Sequence, residues 1–187
     1  ISIPGQNENL AATGDLDISD NLIITGADTR QTIVRADSLD RVFDIFLGVT
    51  VTLEFFEIWE GEVAAANGGA IQNTGTLTLN EVAIKNSMCA GDNGGGQGGG
   101  RGGAIYNIGD LSLNQVTINN CLALGGRGAN GTAPGGGSGG GGAPGMGGAI
   151  YNDILGSCSI QNCTFSSNTA QGGRGGNGTF HQGSGVT

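Results

Sequence analysis

The sequence predicts an all-β fold: a right-handed single-stranded parallel β-helix of about five rungs, with ordered glycine-rich loops inserted at one corner. Three observations predict it. A six-residue phrase recurs as Gly68-Gly-Ala-Ile-Gln-Asn73, Gly102-Gly-Ala-Ile-Tyr-Asn107 and Gly147-Gly-Ala-Ile-Tyr-Asn152. Each copy is followed by short stretches in which apolar residues stand two apart. The 40 glycines cluster between these stretches and lack the every-third-residue period of collagen.

The likeness between copies extends past the motif. Leu77, Leu79, Val82 and Ile84 align with Leu111, Leu113, Val116 and Ile118, and after a short insertion with Cys158, Ile160, Cys163 and Phe165. Residues two apart share one face of a strand, and the i+3 step from Leu79 to Val82 marks a bend. Each repeat therefore reads as three short strands. No single rung covers its own apolar face, so the repeats are expected to stack, with Ile71, Ile105 and Ile150 in one column. A backward step of 26 residues sets Ile45 under Ile71, Val51 and Leu53 under Leu77 and Leu79, and Phe56 and Ile58 under Val82 and Ile84. An earlier rung is expected from Asp15–Ile18, Asn21–Ile24 and Gln31–Val34. The whole chain, 1–187, reads as a single β-helix segment.

Asn80, Asn114 and Gln161 fall at one bend and Asn73, Asn107 and Asn152 at another, where asparagine tolerates unusual dihedrals. These asparagines form either a ladder of amide hydrogen bonds or a sugar-binding row, and the ladder is the favoured reading.

The glycine-rich insertions occupy about 91–101, 125–146 and 172–187, and the first two immediately precede a GGAIYN strand. Neighbouring loops must then leave the coil side by side. Glycine strands in polyproline-II geometry, held about 4.8 Å apart by the rungs, can hydrogen-bond to one another, so a packed glycine sheet or bundle is expected. A docked irregular loop is the alternative. Within the loops, Ala123–Thr132 repeats as Ala170–Thr179, placing Arg127 beside Arg174. Their like charges repel, so each is expected to donate to loop carbonyls or to meet a carboxylate on a partner. Only Asp92 is acidic in these loops, which excludes the repeated aspartates of a calcium-binding β-roll.

The net charge of −9 opposes nucleic-acid binding, which needs clustered Lys and Arg. No apolar run reaches the length of a membrane-spanning helix. Cys89, Cys121, Cys158 and Cys163 form no CxxC pair and His181 stands alone, so no metal site or cofactor is expected. Cys158 and Cys163 align with aliphatic core positions and read as buried small hydrophobes, whereas Cys121 aligns with Asn168 near a turn. Asp15, Asp17 and Asp20 read as solvated outward charges without a basic partner, so catalysis is not expected of them. Thr50, Thr52, Thr76 and Thr78, continued by Ser112 and Ser159 and interrupted by Asp110, form a hydroxyl file that ice binding would use. Threonine is equally at home on any exposed strand face. Phe55, Trp59, Phe46, Tyr106 and Tyr151 fall outside the core, either covered by the loops or forming an interface or carbohydrate platform. The candidate interaction surface is thus Phe55, Trp59, Tyr106, Tyr151, Arg127 and Arg174. Asn130, Asn162 and Asn177 match the glycosylation sequon by chance.

The phrases Ala12–Ile18, Leu22–Gly26, Asp40–Phe43 and Val49–Leu53, together with the GGAI[YQ]N rungs, resemble the CSLREA-type bacterial surface proteins. The rungs are also similar to repeats of the polymorphic outer-membrane autotransporters. The resemblance implies an exported bacterial protein with a β-helix at the cell surface, and it brings no catalytic residues. Two functions from different classes are expected. The coil starts and stops mid-pattern, so end-to-end self-association into an extracellular filament, sheath or matrix is the first. An adhesin that meets a glycan or host receptor is the second, and a polysaccharide-acting enzyme stands third.

Overall fold

The computed structural model describes residues 14–94, 98–132 and 137–179. Its strands pair only in parallel and stack into four sheets, as expected for a parallel β-helix. Sheet A holds Leu16–Ile18, Phe43–Ile45, Ile71–Asn73, Ile105–Asn107 and Ile150–Asn152. Sheet B holds Leu22–Thr25, Thr50–Glu54, Thr76–Asn80, Asp110–Asn114 and Ser157–Gln161. Sheet C holds Ile33–Arg35, Glu57–Trp59, Ala83–Lys85, Thr117–Asn119 and Thr164–Ser166. Five rungs result, and the first-rung strands sit where the sequence sets them.

The rung has four strands where the pattern suggests three. Sheet D is formed by Glu62–Ala64, Met88–Ala90, Leu122–Leu124 and Thr169–Gln171. Its central residues are Val63, Cys89, Ala123 and Ala170, in register with one another. They are small because the coil is narrow here. A Cβ on Gly69, Gly103 or Gly148 would strike the backbone of Met88, Leu122 or Thr169 across the rung. So the second glycine of each GGA phrase serves a close approach, while the first, Gly68, Gly102 or Gly147, has φ between 65° and 73° and turns the chain into sheet A. The other corners use left-handed non-glycine residues in two columns: Phe55, Glu81, Gln115 and Asn162, then Glu60, Asn86, Asn120 and Ser167. In the first column Glu81, Gln115 and Asn162 follow the bends placed at Asn80, Asn114 and Gln161 by one residue.

The core is the stack of inward side chains. Val51, Leu77 and Leu111 form one column and Leu53, Leu79 and Leu113 another, all 2% exposed or less. Ile58, Ile84 and Ile118 form a third. Each such side chain contributes about 1.5–3 kcal/mol of burial relative to exposure. One alignment is corrected in sheet A. Phe43, not Ile45, pairs with Ile71, and Ile45 pairs with Asn73.

That correction locates the start of the asparagine ladder. Asn73 Nδ2 donates to Asn107 Oδ1 at 2.7 Å, and Asn107 Nδ2 donates to Asn152 Oδ1 at 2.6 Å. Asn107 Nδ2 also lies 2.9 Å from the Ser157 carbonyl, and Gly75 N–H donates to Asn73 Oδ1 at 3.2 Å. Asn73 and Asn107 are fully buried, so these amides satisfy corner backbone that water cannot reach. Below them, Ile45 closes the ladder with an apolar side chain.

The glycine insertions continue the sheet D strands outward in a three-residue period. Gly91 and Gly94 donate to the carbonyls of Leu124 and Arg127, and Gly125, Gly128 and Gly131 donate to those of Gln171, Arg174 and Asn177. The returning segment runs antiparallel between them. Gly140 and Ala143 donate to Ala129 and Gly126, while Gly173, Gly176 and Thr179 donate to Ala143, Gly140 and Gly137. Bonds to neighbours every third residue, as polyproline-II strands make them, tie the insertions into a packed bundle and distinguish them from a β-sheet or a free linker. The glycines that face neighbours have no room for a side chain. A Cβ on Gly128 would strike the Gly140 carbonyl, and one on Gly176 the Ala129 carbonyl, positions that suit a Cα–H···O contact. By contrast Gly175 would meet its nearest neighbour, the Gly140 carbonyl, at an ordinary 3.5 Å.

Two outcomes follow for stability. Gly176→Ala is expected to destabilise the glycine bundle by about 1–3 kcal/mol, and Gly175→Ala to change it by less than about 0.5 kcal/mol, measured by limited proteolysis across 125–179. Asn107→Asp, which replaces two amide donors with an acceptor facing carbonyls, is expected to cost about 2–3 kcal/mol in chemical denaturation.

Candidate functional site

The outer face of sheet A carries one continuous column, because the central residue of each strand points away from the core. Asp17 pairs with Asp44, Asp44 with Gln72, Gln72 with Tyr106, and Tyr106 with Tyr151. The column runs from acids through an amide to two aromatic rings.

At the acidic end the sequence reading is corrected. Asp15 is 3% exposed, not solvated, and its basic partner is Arg41, 26 residues later and one rung away. Arg41 Nε donates to Asp15 Oδ2 at 2.9 Å, Nη1 to the Asn67 carbonyl at 2.8 Å, and Nη2 to Asp44 Oδ2 at 3.5 Å. Gln72 Nε2 donates to Asp44 Oδ2 at 3.2 Å. Asp40 Oδ1 accepts the backbone N–H of Arg41 at 2.7 Å. Asp17 is half-buried and Asp20 exposed, so only Asp20 is the solvated surface charge that alternation implies. Burial outweighs the attraction of Arg41 and pushes the Asp15 carboxyl up to about 6; burial likewise raises that of Asp44 against Arg41 and Gln72.

At the aromatic end Tyr106 and Tyr151 stack with ring centroids 5.8 Å apart, and the Arg101 guanidinium lies 5.5 Å from the Tyr151 ring. The Tyr106 hydroxyl donates to Asp153 Oδ2 at 2.9 Å. Burial first, and then Asp153, raise its pKa. Tyr106 is on the outer face as expected but only 7% exposed, so Tyr151 is the more accessible ring of the pair.

Trp59 lies on sheet C, away from this column. Its register neighbours are Arg35 and Lys85, whose charged ends lie 5.2 and 5.3 Å from the indole. Its Nε1–H donates to Glu57 Oε2 at 2.6 Å, and Glu57 Oε1 accepts from Lys85 at 2.7 Å. Two cations and a carboxylate thus engage the ring, which leaves little of it for stacking on a sugar. Phe55 is half-buried at a left-handed corner, and Phe46 is half-buried beyond the strand Phe43–Ile45.

Arg127 and Arg174 are both exposed on neighbouring glycine strands, joined through the Gly128 N–H and the Arg174 carbonyl. Arg127 Nη2 donates to Asn130 Oδ1 at 3.2 Å, and its backbone N–H donates to Asn93 Oδ1 at 2.9 Å. The hydroxyl file is in register as Thr52, Thr78, Ser112 and Ser159, beginning at Ile23, and Ser157 donates to the interrupting Asp110 at 2.6 Å.

All four cysteines are free. Cys89 and Cys121 are buried, and burial pushes the Cys121 thiol up to about 11. Cys163 is half-buried and Cys158, expected inside, is exposed on the last described rung although it continues the Leu77 and Leu111 column. His181 lies outside the described residues, as do positions 180–187 of the third insertion. Among the described residues no helix is long and apolar enough to cross a membrane.

The pH dependence has a definite sign. A carboxyl whose folded pKa is raised binds more protons in the folded state, so stability falls as pH rises from about 4 to about 6 and stays lower above that. With divalent ions chelated, the urea midpoint is expected to drop across this window, and a midpoint rising from pH 4 to 7 would contradict the buried cluster. The chain matches no known family profile, no curated protein and no solved structure.

Proposed function

We propose that this chain is an extracellular structural protein, a subunit of a head-to-tail filament, sheath or matrix fibre. The observation that carries the proposal is the single parallel register in which all the described rungs stack, a contact that repeats from rung to rung without closing. Ile160 and Phe165 on the last rung are 50% and 42% exposed, whereas their register partners Leu113 and Ile118 are buried. On the first rung Leu22 is 42% exposed and Leu16 39%, against fully buried Val51 and Phe43 in the next. The outermost described strands keep the register of the rungs between them. A rung from another copy would continue sheets A, B and C, and such a heterologous contact does not close into a ring. The exported, bacterial-surface setting suggested by the GGAI[YQ]N rungs suits this role. Asp15, the carboxylate that a polysaccharide-acting enzyme would need, has a side chain only 1% exposed, which favours a structural reading over a catalytic one.

Arg127 and Arg174, exposed on an ordered glycine surface, favour a second reading as an adhesin whose basic groups meet an acidic glycan. Loss of glycan-array binding in a double Arg127→Ser, Arg174→Ser variant would support it.

The filament reading is tested by sedimentation and negative-stain microscopy across a concentration series. The wild type is expected to form rods that lengthen with concentration, with the Cys158 thiol protected from alkylation in the rods. Ile160→Lys with Phe165→Asp is expected to remain monomeric with an unchanged β-type circular dichroism spectrum. Wild-type monomers at all concentrations, or rods from the double variant, would contradict the reading.

A further inference from the structure

We propose that Asp15, Asp17 and Asp44 hold a hard divalent cation of calcium's size, which staples the first rung of the coil to the second. One carboxylate oxygen from each residue lies within 4.8 Å of the others. Calcium takes oxygen ligands at about 2.4 Å, so two ligands on opposite sides of the ion stand about 4.8 Å apart and the three carboxylates can share one ion. The donor atoms are all carboxylate oxygen, which selects a hard ion over the softer metals that cysteine and histidine bind.

A second observation points into the same cluster. Asp15 Oδ2 is occupied by Arg41, but Oδ1 is buried without any hydrogen-bond partner, on a side chain 1% exposed. An orphaned buried carboxylate oxygen is costly and asks for a ligand. Charge balance agrees. Three carboxylates face one guanidinium, Arg41, with Asp40 adding a further negative charge and Gln72 none. Among these named groups carboxylates outnumber cations, which is the sign that a bound cation answers. The backbone fixes the site in advance. Asp17 and Asp44 are register partners on adjacent strands, and Asp15 precedes the same strand at the corner. The site differs from the glycine loops, where sequence excludes repeated calcium ligands, and it does not depend on filament formation.

Calcium binding to chelator-treated protein, read by titration calorimetry at pH 7.5, and the thermal midpoint in calcium chloride or EDTA test the proposal. One ion per chain and a higher midpoint in calcium are expected, with both effects weakening below pH 6 as protons compete. Asp17→Asn, at a half-buried outward position, is expected to lower calcium affinity about tenfold or more. Asp20→Asn, at an exposed position, should bind as the wild type does. The proposal is overturned if the wild type takes up no calcium and melts identically in calcium and EDTA, or if Asp17→Asn binds calcium undiminished. Stabilisation by acid with none by calcium at pH 7.5 would also overturn it, because the cluster would then take protons and no cation.

Discussion

Everything in this molecule depends on the parallel backbone ladder that holds successive rungs about 4.8 Å apart in register. That spacing sets Leu79 on Leu53 and Leu113 on Leu79, and so turns a weak pattern of alternating residues into continuous apolar columns. It also sets like on like for polar groups. Asparagine benefits, because an amide is donor and acceptor at once and can bond to its own image in the next rung. Carboxylates suffer, because Asp17 stacked on Asp44 repels. The guanidinium of Arg41 stands against that repulsion, and burial is the larger cost to the Asp44 carboxylate.

The same ladder explains the glycine bundle. Polyproline-II strands have no internal hydrogen bonds, so they are ordered only where something fixes their separation. Here each outgoing strand is the direct continuation of a sheet D strand, and it inherits the rung spacing. The returning strand 137–146 fills the groove between two outgoing ones and bonds to both. Side-chain-free faces at Gly125, Gly128, Gly173 and Gly176 let the carbonyls approach, which is why glycine recurs at these places while Arg127 and Arg174 stand on outward ones. The bundle gains order from the coil without a hydrophobic core of its own.

Much of this was legible in the sequence, and the exceptions have physical causes. Leu77, Leu79, Val82 and Ile84 repeat closely enough to fix sheets B and C. Sheet D is not legible in the sequence because its inward residues, Val63, Cys89, Ala123 and Ala170, are small and varied, as a narrow part of the coil requires. The slip that put Ile45 where Phe43 belongs arose because both are apolar and two apart, so alternation alone cannot choose between core column and ladder position. Asp15 was read from its neighbours along the chain, yet its environment is set by Arg41 and Asp44 in the next rung. A solenoid places such partners one repeat away, and a search for opposite charges at the 26-residue step would have found the pair. Trp59 lies outside the core as its register implies, but what covers it, Arg35 and Lys85, is set only by stacking and so is not legible from its neighbours along the chain.

The central claim is that rung spacing orders the glycine strands, and amide hydrogen exchange resolved by residue tests it most directly. The account predicts slow exchange at Gly125, Gly128, Gly131, Gly140, Gly173 and Gly176, whose amides donate to neighbouring strands, with faster exchange at Gly126, Gly172 and Gly175. Uniform random-coil exchange from 125 to 179, alongside protected amides in sheets A to C, would contradict it.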